Sequence, residues 1–532
     1  MKRAPLTPPP GVAALAHRNR PIPRLVRACS SARRPPLSLF GLLPLLLLAA
    51  GCDTSAPSKK EDRASGRPGT ASFQLPASGR PPNILLITVD TLRADHLSAW
   101  GYPRPTSPNI DRLAGEGLRF DQAQSQWPKT GPSFASIFTS TYPKDNGIVR
   151  QVGIPIPCTF TMLAEVLQRA GYSTHAVVAN GAVGSHLFFD QGFESFLETW
   201  KLPPSGGDAD PNGGENVTRL ALATGASLDP AKPWFLWVHY LDPHSPYRPP
   251  APFRSRFQDD ALFEGKILVP TSNRHRQELA GIGKSQIVDG DKRLGFYIAR
   301  YDAEISYVDQ EIGRLLSGLA ERKLLDDTLT AFTADHGESL GEHSYYFNHG
   351  RFGFQTCLHV PLILHWPGRL EPAVDRAPVQ LLDLAPTLIA AAGVDLPEGR
   401  WAQGQSLWPR IGDPESAASS VTFSEAGTSS NRAWIKVARD RRFVLHFSPL
   451  KREAKWVGGG PSQWALFDLD ADPGETTNVA DRFPEEVERL RGAFGKWWRA
   501  PTFDCNTDAA TCDEGREADA ATVELLKSLG YL

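Results

Sequence analysis

No Cys-x-x-Cys pair occurs in the chain, so its six cysteines do not spell a zinc-ribbon site. Basic charge is short as well. The 57 Lys and Arg stand against 59 Asp and Glu, which leaves no cationic excess for a nucleic-acid partner. The balance is uneven, because residues 1–51 carry eight basic and no acidic side chains; beyond them 49 bases face 59 acids, a net charge of −10. A run able to span a bilayer is also missing. The most apolar stretch, Leu37 to Ala50, is interrupted by Ser38, Gly41 and Pro44 and falls short of the roughly 20 residues a spanning helix needs. No internal repeat is visible. What remains is a chain of 532 residues, able to bury a large core and too long for one small domain.

The first thing present is an export signal. Arg33-Arg34 precede the apolar run, and Leu48-Ala49-Ala50-Gly51-Cys52 reads as a bacterial lipobox with Cys52 as lipid carrier, although Ala49 stands where Leu is usual. An ordinary cleaved signal with an incidental Cys52 is the alternative. The expectation is an exported bacterial lipoprotein, anchored to a membrane through Cys52 in the periplasm or at the cell surface. Residues 52–81 are rich in Ser, Pro, Gly and charge, too poor in apolar side chains to offset ordering entropy, and read as a disordered tether. Cys505 and Cys512 suit a local disulfide in an oxidising compartment, whereas Cys158 and Cys357, in apolar contexts, read as buried thiols.

From Ile84 the chain alternates strand and helix. Ile84–Val89 is a buried-type strand, and a helix through Ile110–Glu116 is capped in advance by Ser107-Pro108 and closed by Gly117. Phe160–Ala170 has helical periodicity and leads into a strand at His175–Ala179. Trp234–Tyr240 is a further buried strand. Tyr301–Arg322 is a long amphipathic helix with Ile305, Val308, Ile312, Leu315, Leu316 and Leu319 on one stripe, feeding a strand at Thr328–Phe332. This βαβ alternation predicts a mostly parallel sheet flanked by helices. Residues 201–215 read as a loop, and Pro249–Lys292 as an irregular insertion near the site. Beyond Gly404-Gln405-Ser406-Leu407, short β-type runs such as Phe443–Phe447 and a helix near Glu485–Trp498 suggest a small antiparallel sheet with a packed helix. The expected organisation is a signal over 1–51, a tether over 52–81, a catalytic domain over 82–419 and a C-terminal subdomain over 420–532.

Three segments carry chemistry. Thr333-Ala334-Asp335-His336-Gly337-Glu338 places a carboxylate and an imidazole side by side at the end of a strand, a common way for an open α/β sheet to build half of a metal site. Leu85-Leu86-Ile87-Thr88-Val89-Asp90 ends a second strand in a carboxylate. Lys129-Thr130-Gly131-Pro132-Ser133 is a turn entering a helix, with Pro132 suited to the first helical turn.

In this order the segments resemble the sulfatase family of the alkaline phosphatase superfamily, from about Pro82 to the last residue. The likeness extends through Pro108-Asn109-Ile110-Asp111-Arg112-Leu113, His239-Tyr240-Leu241-Asp242-Pro243-His244, Val360-Pro361-Leu362 and Phe467-Asp468-Leu469. The resemblance implies the alkaline-phosphatase-like α/β fold with a small C-terminal subdomain, and a metal-dependent hydrolase of sulfuric or phosphoric esters. Sulfatases commonly use a Cys or Ser matured to formylglycine in a Cys/Ser-x-Pro-x-Arg motif. Here the aligned residues are Thr130-Gly131-Pro132-Ser133-Phe134, so neither the maturation target nor the arginine is present. The resemblance then implies an ordinary Thr130 hydroxyl as nucleophile, with phosphoester, phosphonate or phosphoryl-transfer chemistry expected over formylglycine-type sulfate hydrolysis. An arylsulfatase-like reaction without formylglycine is one alternative. A silent binding protein is another, motivated by Phe134 and by Ser140 where a Gly is usual.

The expected metal ligands are Asp90, Thr130, Asp335 and His336, holding one divalent cation. The imidazole favours Zn or Mn over Ca or Mg. A second metal would use His239, Asp242, His244 and His349, whose spacing departs from two-zinc relatives. His244 is expected to touch the substrate oxyanion or protonate the leaving oxygen, with His239 a core-facing polar residue. His349 is expected against the anion. Arg93 is a further candidate for the anion, with a salt bridge to Asp95 as the plainer reading, and Glu338, Glu342 and His343 read as structural or as partners that orient the site's ligands. The expected substrate is a small-molecule, glycan or lipid ester.

Overall fold

The strand Asn83–Val89 is buried from Ile84 onward, as an unbroken run of Ile, Leu and Val requires where both faces of a sheet are covered. It pairs in parallel with Thr328–Ala334 on one side and Trp234–Tyr240 on the other. Around it the computed structural model shows a nine-stranded sheet. Its order is Ala373–Asp375, Leu118–Gln124, His359–His365, Thr328–Ala334, Asn83–Val89, Trp234–Tyr240, Ser173–Val178 and Ser195–Glu198, with Val379–Gln380 also on Leu118–Gln124. His359–His365 runs antiparallel to both neighbours, while all other pairings are parallel. Pro361 sits inside that reversed strand, and its carbonyl accepts a hydrogen bond from the Thr333 hydroxyl at 2.8 Å. The mostly parallel sheet expected from the βαβ pattern is therefore present, with one strand reversed.

The structure describes residues 79–529 and 531, apart from 204–209, 259–268, 270–280, 284–285, 397–402, 412–419, 428–433, 460–461 and 500–515. The export signal, Cys52, nearly all of the tether, much of the expected insertion and the Cys505/Cys512 pair lie outside the described residues. Among the described residues no helix is long and apolar enough to cross a membrane.

Several elements depart from expectation for identifiable reasons. The long helix starts at Leu294 rather than Tyr301 and runs to Glu321, because Tyr297 and Ile298 extend the buried stripe by a further turn. The helix Pro108–Glu116 is not capped by the Ser107 side chain. Ser107 donates instead to Asp111, and Asp309, from the long helix, accepts from the amides of Asn109 and Ile110 at 3.0 and 2.8 Å. A carboxylate from a packed neighbour thus does the work of a cap. Cys158 is neither buried nor a thiol: it is exposed in the turn after Ile156 and disulfide-bonded. Cys357 is the buried thiol expected.

The strands Thr422–Ala426, Ile435–Arg439, Phe443–Phe447 and Trp464–Asp468 form a second, antiparallel sheet in sequential order. The helix Pro484–Arg499 covers it through Leu490, which joins Phe443, Leu445 and Leu466 in one apolar cluster. The last helix, Ala520–Ser528, leaves this sheet and returns to the large one. Asp519 caps it through the Thr522 amide at 2.9 Å, Trp200 Nε1 donates to the Thr522 hydroxyl at 3.0 Å, and Lys201 pairs with Asp519 at 2.8 Å.

Candidate active site

The register of three adjacent strands builds the site. Val89 lies beside Ala334 and Thr88 beside His239, so the residues that follow, Asp90 and Asp335, leave neighbouring strand ends together. This is the carboxyl edge where open α/β sheets bind their ligands. Thr91, next after Asp90, has φ of 55°, unusual for a β-branched residue. Its amide donates to Asp335 Oδ1 at 3.3 Å, and its carbonyl accepts from the Tyr301 hydroxyl at 2.8 Å, which holds the chain in that turn.

Asp90, Asp335 and His336 converge, with ligand atoms all within 4.8 Å of one another. His336 Nδ1 faces the Gly337 carbonyl at 2.9 Å. A carbonyl only accepts, so Nδ1 carries the hydrogen and Nε2 keeps its lone pair. That nitrogen lies 3.9 Å from Asp90 Oδ1 and 3.4 Å from Asp335 Oδ2, and both of these oxygens are buried without a hydrogen-bond partner. Burial and the charge of Asp90 push Asp335 well above the usual carboxylate range. Burial acts on Asp90 in the same sense, but the nearby imidazoles of His239, His244 and His336 hold it well below that range. Two buried carboxylates with orphaned oxygens and one imidazole nitrogen that keeps its lone pair form a donor set that fits a divalent cation.

Thr130 opens the helix Thr130–Thr139. Its Oγ1 is 3.4 Å from His336 Nε2 and accepts from Gln151 Nε2 at 2.8 Å. A β-carbon at Gly131 would lie 2.8 Å from the Gln151 carbonyl, so only glycine lets that chain pass so close. Phe134 is fully buried against Trp237 and His239, with ring centroids 5.1 and 4.8 Å away. Ser140, with φ of 53°, ends the helix in the conformation glycine favours. Its hydroxyl donates to the Leu382 carbonyl at 2.8 Å and accepts from the Gly404 amide at 3.2 Å. Both departures from the familiar motif are accommodated by packing and hydrogen bonding.

The remaining candidates divide. His244 and His349 join the site, their rings 5.3 Å apart and His349 4.3 Å from His336. His349 Nδ1 meets Glu338 Oε1 at 3.2 Å, and the Tyr247 hydroxyl donates to the other Glu338 oxygen. Burial pushes the Glu338 carboxyl up to about 7 and the His349 imidazole well down. Arg93 is turned to Asp95 and Glu342, with contacts of 2.7 to 2.8 Å, the plainer of its two readings. Asp242 accepts from the Gly214 amide at 3.0 Å, and it does not gather with His239, His244 and His349 into a second metal-type group among the described residues. His239 is buried on its strand, but its Nε2 lies 3.6 Å from Asp90 Oδ2.

Four residues of the site were not anticipated. Asn180 donates to Asp90 Oδ2 at 2.5 Å; its place just past the strand Ser173–Val178, on the same edge as Asp90, was the available signal. Gln151 and Lys129 flank Thr130, and burial with the nearby Arg150 charge pushes the Lys129 ammonium down to about 8. Tyr531 carries no local signal, since it arrives from the far end of the chain, with its hydroxyl 2.9 Å from His244 Nε2.

The sequence matches the Sulfatase family over residues 82–394 and the family N-sulphoglucosamine sulphohydrolase, C-terminal, over residues 341–490. The chain belongs to the sulfatase family. It is 27% identical to the choline-sulfatase of Rhizobium meliloti (strain 1021) over 85% of this chain and 92% of that one. Among solved structures, a protein in complex with its substrate D-glucosamine-2-N,6-O-disulfate superposes with a TM-score of 0.63 at 20% identity, over 81% of this chain and all of the other. The phosphonate monoester hydrolase of Agrobacterium radiobacter gives 0.60 at 24% identity, over 78% and 95%. These likenesses agree with the α/β sulfatase fold, its small antiparallel C-terminal sheet and a family of ester hydrolases.

Proposed function

We propose that this sulfatase-family enzyme cleaves phosphoric or phosphonic esters, or transfers their phosphoryl group, with the Thr130 hydroxyl as nucleophile. The observation that carries the reading is the place of Thr130 Oγ1 at the Asp90–Asp335–His336 cluster, together with Phe134 packed into the core where formylglycine enzymes keep an arginine. Asp90, Asp335 and His336, with Thr130 beside them, would hold one divalent cation, and their mixed oxygen and nitrogen donors favour Zn or Mn. When bound, such a cation neutralises charge gathering on the non-bridging oxygens and acidifies a neighbouring hydroxyl.

The chain's own groups supply the rest. Gln151 holds one lone pair of Thr130 Oγ1 and so orients the hydroxyl. The helix Thr130–Thr139 would offer its N-terminal amides to the substrate anion. His349, which meets Glu338 Oε1 at 3.2 Å, and His244, whose ring lies 5.3 Å away, are the candidates for proton exchange with the reacting oxygens. The alcohol half of the ester is a small molecule, glycan or lipid.

A panel of aryl phosphate mono- and diesters, a phosphonate and an aryl sulfate, each assayed with added metals, tests the reading; turnover led by the aryl sulfate would overturn it. Sulfate-ester hydrolysis by the same hydroxyl is the second reading, supported by the names of relatives such as the choline-sulfatase. Anchoring through Cys52 is likewise a proposal, resting on Leu48–Cys52, and loss of lipid labelling in a Cys52→Ser variant tests it.

A further inference from the structure

A cleft of about 510 Å³ opens between Leu118–Gln124 of the large sheet and Ile435–Arg439 of the small one, and none of the residues gathered at Asp90, Asp335 and His336 lines it. Five buried polar atoms of its lining residues have no hydrogen-bond partner: Trp100 Nε1, both side-chain atoms of Gln355, and Nε and Nη1 of Arg439. Buried donors are rarely left unmet, and a charged one is the most costly to leave so.

Arg439 is the charged one. It is only 5% exposed, and of its guanidinium nitrogens Nη2 alone meets an acceptor, Gln122 Oε1 at 3.3 Å. Burial pushes this guanidinium down to about 10 against the pull of Glu475 and Asp440, and both of those acids are engaged elsewhere, with His446 and Arg489. The acids of the cleft itself are also taken. Asp95 receives Arg93 on both oxygens, Asp121 holds Arg119 at 2.8 Å, and Asp470 lies 3.9 Å from Arg442. Arg441, exposed on the rim, makes no ion pair among the described residues.

What is left unpaired is therefore cationic and rich in donors: a guanidinium, an indole N–H and an amide NH₂, carried by three separate segments of the chain. Such a set matches an anion whose acceptor oxygens diverge, as those of a tetrahedral oxyanion do. The Gln355 oxygen, the one orphaned acceptor, suits a hydroxyl on that anion or on the molecule carrying it.

We propose that this cleft is an oxyanion-binding site separate from the active site, in which Arg439 holds a phosphate or sulfate group and Trp100 and Gln355 add neutral hydrogen bonds. Its volume falls within the roughly 300–1,000 Å³ of small-molecule sites, so the group arrives either as the free ion or as the charged substituent of a sugar-sized molecule. The inference does not use the reading of Thr130 as nucleophile, and each can fail alone.

Calorimetric titration of the metal-loaded, full-chain enzyme with inorganic phosphate, inorganic sulfate and a dextran sulfate oligosaccharide tests it. The parent is compared with Arg439→Leu and with Arg439→Lys, which keeps the charge but not the planar fork, after melting curves in phosphate-free buffer show which variants are folded. The parent is expected to bind at least one of the three at a site that Arg439→Leu lacks, and Arg439→Lys to weaken that site by about tenfold or more. Tighter binding of the inorganic ions assigns the site to the free anion, and tighter binding of the oligosaccharide to a charged substituent. Equal stoichiometry and affinity in the parent and either folded variant would overturn the proposal and leave water as the occupant. Turnover of a small aryl ester should be the same in Arg439→Leu and the parent; turnover and anion binding lost together would place Arg439 in the active site and overturn a separate one. Tungstate soaked into crystals of the parent gives a readout that needs no variant: an anomalous peak is expected within hydrogen-bond distance of Arg439, and its absence there would also overturn the proposal.

Discussion

Asn180 grips Asp90 through one carboxylate oxygen, Oδ2, at 2.5 Å, and leaves the other, Oδ1, facing the cluster without a partner. The amide therefore aims the carboxylate. Groups that orient a metal ligand in this way are worth about 10–100-fold in affinity, so Asn180→Ala should weaken binding of a divalent cation by that factor while the protein stays folded. Titration of the metal-free protein, followed by calorimetry, checks it.

Much of this site was legible in the chain before its coordinates, and the part that was not has a physical reason. Asp90, Asp335 and His336 each follow a buried apolar strand, and strand ends are where a parallel sheet exposes reactive groups. Thr130 could be placed because Pro132 and the residues around it mark a helix start. Asn180 sits in an equivalent edge position, but its strand ends in residues with no chemical signature. The cap provided by Asp309 and the docking of Tyr531 depend on elements far apart in sequence, so no local pattern encodes them. The exposed, bonded Cys158 was hidden for a different reason: Ile154, Ile156 and Phe160 make its surroundings look apolar, yet the cysteine itself lies on the outside of the turn.

Phe134 is packed in the core one helical turn after Thr130, with Phe138 stacked on it at 6.0 Å and Trp237 tilted against it at 5.1 Å between ring centroids. Phe134→Ala is expected to cost about 3–5 kcal/mol in unfolding free energy, read from denaturant titration. Phe134→Arg should be at least as damaging, since it would bury a guanidinium in an apolar wall, so the Thr130→Cys, Phe134→Arg pair should not create a formylglycine sulfatase. Aryl-sulfate turnover of that double variant checks this.

Gln151 donates the hydrogen bond that orients Thr130 Oγ1. If Thr130 is the nucleophile as proposed, replacing Gln151 by Leu removes one donor at its oxygen and is expected to lower kcat by about tenfold or more, a smaller loss than the roughly 10²–10³-fold seen for a donor to a full oxyanion. Steady-state kinetics against the best substrate of the panel measures it.

Asp309 is almost wholly buried, and burial pushes its carboxyl up to about 6 from an ordinary 3.8, opposed by hydrogen bonds from Ile110 and Asn109. A raised folded-state value means that the native protein keeps a proton the unfolded chain releases. The stability contributed by this group is thus complete below pH 3.8 and is lost as pH rises through about 6. Asp309→Asn, which cannot titrate, should show a flatter dependence of unfolding free energy on pH across that window, measured by denaturant titration in a buffer series.

The central claim is that the Thr130 oxygen itself attacks the ester. Rapid acid quench of the metal-loaded enzyme during turnover of a phosphate or phosphonate ester, followed by peptide mass mapping, tests it most directly. The account expects the substrate-derived phosphoryl or phosphonyl group on the peptide containing Thr130, and neither adduct nor turnover in Thr130→Ala. An unmodified Thr130 peptide from the working enzyme, with turnover surviving in Thr130→Ala, would contradict it.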